Sequence, residues 1–234
     1  MARWPMDELS PLSHETLSES AYVTLAEALA QGRFRPGQRL KIRDLAAQLG
    51  TSVTPVRDAI LRLAQDEALS FRSARDIRIP SLGLSEYLEI RAIRLALEGL
   101  AAAEAAKYTT LDHIAGLEQL LARHEASMRA MDWSGGLQAN QEFHFRLASI
   151  ARMPILAAQL KRLWLRMGPM IAQTYIAGGR AMIEHHYPVL EALRAHDSTA
   201  AARAIRRDIT EGGQAILAFI TAKDNAINKE TDHA

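Results

Sequence analysis

Residues 42–63, IRDLAAQLGTSVTPVRDAILRL, predict two short helices joined by a tight turn, and this pattern constrains the fold more than any other part of the chain. The first segment has an apolar stripe formed by Leu45, Ala46 and Leu49. Gly50 follows at the point where a helix must end and turn, because glycine enters the left-handed conformation at little cost. A second helix is therefore expected to begin directly after it.

The second segment opens with residues that are typical of a helix N-terminus. A cap can be provided by Thr51, Ser52 or Thr54. Pro55 falls in the first turn, where the missing N–H of proline costs nothing. Apolar residues then recur at helical spacing, at Val56, Ile60 and Leu63. This arrangement predicts a helix-turn-helix, whose second helix lies in the major groove of DNA and presents its N-terminal residues to base edges.

Positive charge is concentrated in the same part of the chain, although the net charge of the whole chain is only +1. Residues 1–32 carry one basic and five acidic side chains, and residues 33–80 carry ten basic and five acidic ones. Residues 81–234 carry seventeen of each sign. A basic patch on one module indicates phosphate contact, with a solvated charged surface as the alternative.

The segments around the helix-turn-helix extend it to a small domain, which we assign to residues 1–80. Residues 17–32 predict a first helix, and Pro36–Gly37 predict a turn. Residues 69–79 alternate apolar and basic side chains, which predicts a short hairpin with an exposed basic side that includes Arg75. Three helices followed by a basic hairpin form a winged helix-turn-helix.

Strand patterns disappear from residue 84 onward, and residues 81–234 predict an all-α domain. Alanine and leucine, which are both strong helix formers, dominate it. Six helices are predicted, at about 84–107, 110–131, 133–151, 154–177, 180–195 and 198–222. The predicted fold class is therefore mainly α, with an N-terminal winged helix-turn-helix followed by an antiparallel helical bundle.

Composition excludes several classes of protein. The chain has no cysteine, so neither a disulfide framework nor thiolate chemistry is available. No apolar run approaches the roughly 20 residues that a membrane span needs. The N-terminus lacks the basic and then apolar layout of a signal peptide. We therefore expect a cytoplasmic protein with no membrane partner.

Several segments together carry a family resemblance. RFRPGQRL and IRDLAAQLGTSVTPVRDAILRLAQDEAL resemble the N-terminal domain of GntR-type bacterial transcription regulators. YLEIRAIRLALEGLAAA, NQEFHFRLA and HHYPVLEAL resemble their FadR-type ligand-binding domain, abbreviated FCD, and six helices match its shorter, VanR-like branch. The resemblance implies a homodimeric repressor that binds a palindromic operator on double-stranded DNA. It also implies that a small carboxylic acid, bound in the helical domain, releases the protein from the operator.

The motif and the resemblance together assign the DNA contacts. They fall on Arg43, Ser52, Thr54, Arg57 and Arg75. In the family pattern an arginine usually stands where this chain has Val53, which can instead pack on a thymine methyl group. A glycine usually stands at the tip of the hairpin where this chain has Asp76, so we expect the hairpin to contact DNA differently.

The resemblance also implies a metal site in the helical domain. Carried over residue by residue, the family pattern selects Asn140, His144, His186 and Asp208. At the first of these positions the family usually has aspartate, where this chain has Asn140. At the last it usually has histidine, where this chain has Asp208. Two imidazoles and one carboxylate still suit zinc, with nickel or manganese as alternatives. The alternative interpretation is that no metal binds, and that the two histidines are polar side chains inside a hydrated bundle.

Two arginines are candidates for binding the carboxylate of the effector, because guanidinium geometry favours a bidentate contact. Arg94 matches the arginine of the family's Arg-x-x-Leu-Glu run, and its alternative role is a salt bridge with Glu98. Arg166 is the second candidate, and its alternative role is packing between domains or subunits.

His113, His124 and His196 match no motif, and we expect them at the surface.

The alternative function is a metal-dependent helical-bundle enzyme that acts on a small carboxylate. Against it, the sequence has no Glu-x-x-His repeat and no evident general base beside the predicted ligands, so we expect a regulator and not an enzyme.

Overall fold

The computed structural model describes residues 17–73 and 76–231, with side chains as far as residue 224. The winged domain contains α1 (Leu17–Ala30), β1 (Arg39–Leu40), α2 (Ile42–Gln48), α3 (Val53–Gln65), β2 (Ser70–Ser73) and β3 (Asp76–Arg78). The helical domain contains α4 (Leu84–Tyr108), α5 (Leu111–Arg129), α6 (Trp133–Ile150), α7 (Pro154–Gly178), α8 (Ala181–Glu184), α9 (His186–Arg194), α10 (Ser198–Gly212) and α11 (Gln214–Thr231). The predicted fold class is confirmed. Among the described helices, none combines the length and the hydropathy needed to cross a membrane.

The turn between α2 and α3 forms at the glycine that the sequence indicates. Gly50 has a φ of +63°, in the left-handed region where a side chain would cause strain. Ser52 is the N-cap residue of α3 and has extended backbone, but its side chain makes no capping hydrogen bond. The buried side of α3, which includes Val56 and Ile60, packs with α1 and α2 in one apolar core. This packing leaves the other side of α3 exposed.

The wing is a three-stranded antiparallel sheet with the strand order β1-β3-β2. Ile77, in the central strand, is buried in the core of the winged domain. A carboxylate oxygen of Asp76 lies 3.4 Å from Nε of Arg39 and 3.0 Å from Nε of Arg78. The negative charge at the predicted hairpin tip is thus compensated within the wing. The predicted DNA contact Arg75 lies outside the described residues.

The described part of the helical domain has eight helical segments, where six were predicted, because two predicted helices are interrupted. The predicted helix at 180–195 divides into α8 and α9 at His185. Pro188 accounts for this break, since its ring would clash with the carbonyl group of Glu184 in a continuous helix.

The predicted helix at 198–222 is interrupted at Gly213, between α10 and α11. The hydroxyl of Tyr87 donates a hydrogen bond of 3.0 Å to the carbonyl oxygen of Gly213. A Cβ at this glycine would lie 2.6 Å from the carbonyl oxygen of Ile209 and 2.7 Å from the Tyr87 hydroxyl. A residue without a side chain is therefore needed where α4 approaches the end of α10.

The central helix of the bundle is α4, which packs against α6, α7, α9 and α10. The main apolar core of the helical domain includes Leu117, Phe143, Leu193 and Ile205. A further apolar cluster along α7 contains Trp164, Met167 and Ile171. Helices α4, α5, α6, α7, α9 and α10 therefore surround the interior of the bundle.

The two domains meet where α1 packs on α7. A Cβ at Gly168 of α7 would lie 2.4 Å from the carbonyl oxygen of Leu29 and 2.6 Å from that of Ala30, so the two backbones are in direct contact. Leu165, one turn earlier on α7, belongs to the apolar core of the winged domain. Helix α7 is therefore a structural part of both domains.

Candidate functional site

The exposed side of the helix-turn-helix carries four of the five predicted DNA contacts. These are Arg43, Ser52, Thr54 and Arg57, and all four are exposed to solvent. Val53, in contrast, is half-buried and packs against the core of the winged domain. The surface at the start of α3 therefore offers two hydroxyl groups and a guanidinium group, with another guanidinium from α2.

Two other polar residues of α3 hold the helix against α1. Asp58 accepts a hydrogen bond of 3.2 Å from the hydroxyl of Ser18, and Arg62 donates to the carboxylate of Glu19. Arg57 makes no hydrogen bond or ion pair with any residue in the described part of the chain. Its guanidinium group is thus not used to stabilise the domain.

Three predicted metal ligands, His144, His186 and Asp208, meet inside the bundle from α6, α9 and α10. Each offers one ligand atom, and these atoms lie within 4.8 Å of one another. Nε2 of His144 is 3.3 Å from one carboxylate oxygen of Asp208, and Nε2 of His186 is 3.5 Å from the other. All three side chains are buried. Asn140 is also buried, one turn before His144 on α6.

The electrostatics of this cluster fit a cation. Burial raises the pKa of Asp208 to about 6, and burial together with the nearby His144 lowers the pKa of His186 well below its usual value. His186 is therefore a neutral imidazole, and neither of its ring nitrogens has a hydrogen-bond partner among the described residues. Imidazole nitrogens and carboxylate oxygens gathered in one buried cluster are the groups that a divalent transition metal prefers.

Glu98 completes the cluster, although the sequence indicated it only as an ion-pair partner. Nε of Arg94 donates to one of its oxygens at 2.6 Å, and Nδ1 of His144 donates to the other at 2.5 Å. Burial raises the pKa of Glu98, but the neighbouring Arg94 and His144 outweigh this effect and hold it at about 2. The ionised carboxylate fixes the tautomer of His144 that leaves Nε2 free to bind a metal.

The cluster adjoins a small, partly open cavity of about 30 Å³. Its polar lining includes Arg94, Asn140, His144 and Asp208. The guanidinium carbon of Arg94 lies 4.9 Å from the centre of the Trp164 ring. Arg94 therefore forms the salt bridge with Glu98 and also lines the cavity, and its role in binding an effector stays a prediction.

Arg91, one turn before Arg94 on α4, lines the same cavity and is a candidate that the sequence analysis missed. The spacing in the run RAIR could have indicated it, since residues three apart share one side of a helix. The apolar walls of the cavity include Met167 and Ile171. Two guanidinium groups above apolar walls suit a small anion that also has an apolar part.

Arg166, the second predicted effector-binding residue, is not among the residues that line this cavity. It donates a hydrogen bond of 2.9 Å to Glu67, just after α3, and another to Glu86 of α4. Its guanidinium group is thus paired with two carboxylates and connects the winged domain to the bundle. This position corresponds to the alternative role, packing between domains.

The expectation of a surface position for His124 was wrong. It is 1% exposed and forms a hydrogen bond with the hydroxyl of Tyr175, and burial lowers its pKa to about 4. The helical repeat explains the error, because Leu117, seven residues earlier, lies on the same buried side of α5. His185 lies 3.1 Å from Glu211 and is not part of the metal-type cluster.

Comparisons with known proteins cover both domains. Residues 17–79 match the model of the bacterial regulatory proteins of the gntR family, and residues 89–211 match the FCD domain. The HTH-type transcriptional regulator McbR of Escherichia coli is 35% identical over 190 residues, 80% of this chain and 86% of that protein. A probable D-xylose utilization operon transcriptional repressor of Paenarthrobacter nicotinovorans is 29% identical over 85% of this chain and 88% of its own length. The solved structure of E. coli McbR/YncC superposes with a TM-score of 0.81 at 31% identity, covering 87% of this chain and 98% of that one.

Proposed function

The chain belongs to the GntR family of bacterial regulatory proteins and carries an FCD domain, and from this we propose that it is a homodimeric, DNA-binding transcription repressor controlled by a small carboxylic acid. Our proposal that a ligand controls the protein rests on the buried cluster of His144, His186 and Asp208. This cluster lies beside a cavity that Arg94 also lines. Relatives that are described as transcriptional regulators support a regulator over an enzyme.

DNA binding is assigned to the exposed side of α3. Ser52, Thr54 and Arg57 lie at its N-terminal end, which is the part of a recognition helix that reaches base edges. Arg43 on α2 is placed to add a phosphate contact, and the predicted contact Arg75 would extend the surface into the wing. The excess of basic residues in this domain supports the assignment, because phosphate contacts supply much of the affinity for DNA.

Ligand binding is assigned to the interior of the bundle. A divalent metal, zinc or alternatively nickel or manganese, would be held by His144, His186 and Asp208, with Asn140 as a weaker oxygen donor. When bound, the metal supplies open coordination positions for the carboxylate of the effector. Arg94 contributes a guanidinium group that pairs with the same anion, and Glu98 keeps Arg94 and His144 in place.

Helix α7 is the element through which the cavity acts on DNA binding. Trp164, Met167 and Ile171 line the cavity, whereas Leu165 and Gly168 pack on the winged domain. A ligand that displaces the lining residues therefore moves the support of the recognition helix. A coupling free energy of ~1–3 kcal/mol would lower operator affinity by roughly 5- to 150-fold.

The metal assignment is tested with two neighbouring histidines. We expect His186→Ala to remove bound zinc, while His185→Ala, on a side chain paired with Glu211, keeps one equivalent per chain. Zinc content after dialysis is measured by mass spectrometry, and circular dichroism checks that both variants fold. Equal zinc content in the two variants would contradict the assignment.

The DNA assignment is tested with two arginines of α3. We expect Arg57→Ala to weaken binding to a site selected from random DNA by ~1–3 kcal/mol if Arg57 contacts a base. Arg62→Ala serves as the control, because Arg62 pairs with Glu19 of α1 instead. Affinities are measured by fluorescence anisotropy on the selected site and on random DNA. Equal losses on both DNAs would contradict base contact, and no loss on either would contradict the assignment of Arg57 altogether.

A further inference from the structure

One side of α4 is not covered by any other described element, although α4 is the central helix of the bundle. Leu88, Ile93 and Leu100 are 37%, 39% and 44% exposed there. The α4 face, as we call it, consists of Leu88, Ala92, Ile93, Ala96, Leu100 and Ala103. An exposed run of apolar residues on a folded domain is typical of a surface that meets another protein.

Charged side chains of α4 stand at the two ends of this side, and Lys107 at one end pairs with Glu104 at 2.6 Å. Glu89 and Lys107 are 18 residues apart, which is five full helical turns, so both lie above the same side and about 27 Å apart. Arg206 of α10 bounds one edge, where it donates a hydrogen bond of 3.2 Å to the carbonyl oxygen of Leu95. The guanidinium group of Arg206 also lies against Gly99, since a Cβ at this glycine would be 2.6 Å from its Nε. The α4 face itself therefore has small and apolar side chains, with Glu89 at one end and the Lys107–Glu104 pair at the other.

This layout is complementary to itself when a second helix runs antiparallel. With a two-fold axis midway between Ala96 and Leu100, Glu89 faces the partner's Lys107 at both ends of the contact. At the centre, Ala96 faces the partner's Leu100, so small and large side chains alternate. A parallel arrangement would instead set Glu89 against the partner's Glu89, which is unfavourable.

We propose that the α4 face is the dimer interface, on which the α4 helices of two copies of this chain pack antiparallel. This inference rests on the proposed homodimer and names the surface that forms it. A second copy fits better than an unrelated partner, because both the charges and the side-chain sizes match under the two-fold axis. Depletion of charge at the centre is also a feature of homodimer interfaces.

The proposal is tested first with two leucines that are both changed to glutamate. Leu100→Glu places a charge at the centre of the α4 face, and we expect it to convert the dimer to a monomer. Leu111→Glu alters a leucine that is 88% exposed at the start of α5, and it should remain dimeric. Molar mass is measured by light scattering during gel filtration. If both variants stay equally dimeric, the proposed surface is overturned but the proposed homodimer is not. A monomeric wild-type protein would overturn both.

A charge exchange tests the antiparallel register independently of how well Leu100→Glu folds. We expect Glu89→Lys alone, or Lys107→Glu alone, to raise the dimer dissociation constant by about tenfold, since each creates two like-charge pairs. The double variant restores opposite charges at both ends and should recover the wild-type constant. Sedimentation equilibrium measures all four proteins. Additive weakening in the double variant would overturn the antiparallel register.

Discussion

Glu98 shows how one buried residue connects the two parts of the ligand site. Its carboxylate bonds to Arg94 along α4 and to His144 across the bundle, and it is only 2% exposed. Arg94 is itself buried, so the positive charge that faces the cavity depends on a neighbouring negative charge. The sequence indicated the first contact through its i,i+4 spacing, but not the second, because 46 residues separate Glu98 from His144.

We expect Glu98→Gln to lower the free energy of unfolding by ~3–5 kcal/mol, because it leaves the buried guanidinium of Arg94 without its Glu98 counter-charge. Glu118→Gln is the control, since Glu118 forms an exposed pair with Arg194, and its effect should stay within about 0.5 kcal/mol. Urea unfolding is followed by circular dichroism in the presence of a chelator, so that a change in metal binding does not contribute. A loss for Glu98→Gln no larger than that of the control would contradict this account.

Helix α7 carries the cavity on one side and the winged domain on the other, and Gly168 is one of the positions where α1 packs closely against it. Replacing glycine by alanine inside a helix ordinarily stabilises it by roughly 1 kcal/mol. We expect the opposite sign for Gly168→Ala, because the added Cβ would meet backbone carbonyl oxygens of α1, and such overpacking costs ~1–3 kcal/mol. Gly116→Ala, on α5, has open space around the new methyl group and should be stabilised by about 0.5–1 kcal/mol.

Thermal unfolding measures both glycine variants in one buffer. A melting temperature that falls for Gly168→Ala and rises for Gly116→Ala would support direct contact between α1 and α7. Increases of similar size in both variants would mean that the two backbones are not in contact there.

The elements also show where sequence patterns suffice. Gly50 and Pro55 predicted the helix-turn-helix because their backbone preferences act locally. The break at His185 could have been predicted from Pro188, since proline excludes a helical hydrogen bond four residues earlier. The end of α10 could likewise have been predicted from the pair Gly212–Gly213. The hydrogen bond from Tyr87 to Gly213 could not, because 126 residues separate them in sequence. Likewise, the family pattern selected His144, His186 and Asp208, but nothing in the sequence set the distances between them.

For the whole molecule, the proposed dimer fixes how two recognition helices are presented to DNA. Each winged domain is held on its own bundle by α7 and by Arg166, which bonds to Glu67 and Glu86. If two bundles are joined through α4, the two copies of α3 have one separation and one relative orientation. Such a protein reads two half-sites whose centres lie on the same side of the DNA, about one helical turn or a multiple of it apart.

A change in half-site spacing tests this arrangement. Inserting about half a helical turn, roughly 5 bp, between the half-sites of a selected operator moves the second one to the opposite side of the duplex. We expect the affinity of the wild-type protein to fall to its non-specific level, a loss of roughly 10³-fold or more. The monomeric Leu100→Glu variant should bind the two operators equally and weakly, because each of its winged domains binds alone. Gel-shift titrations at a fixed salt concentration measure all four combinations. Equal wild-type affinity for both operators would mean that the winged domains are positioned independently, and α7 would then lose its role in conveying ligand binding to DNA.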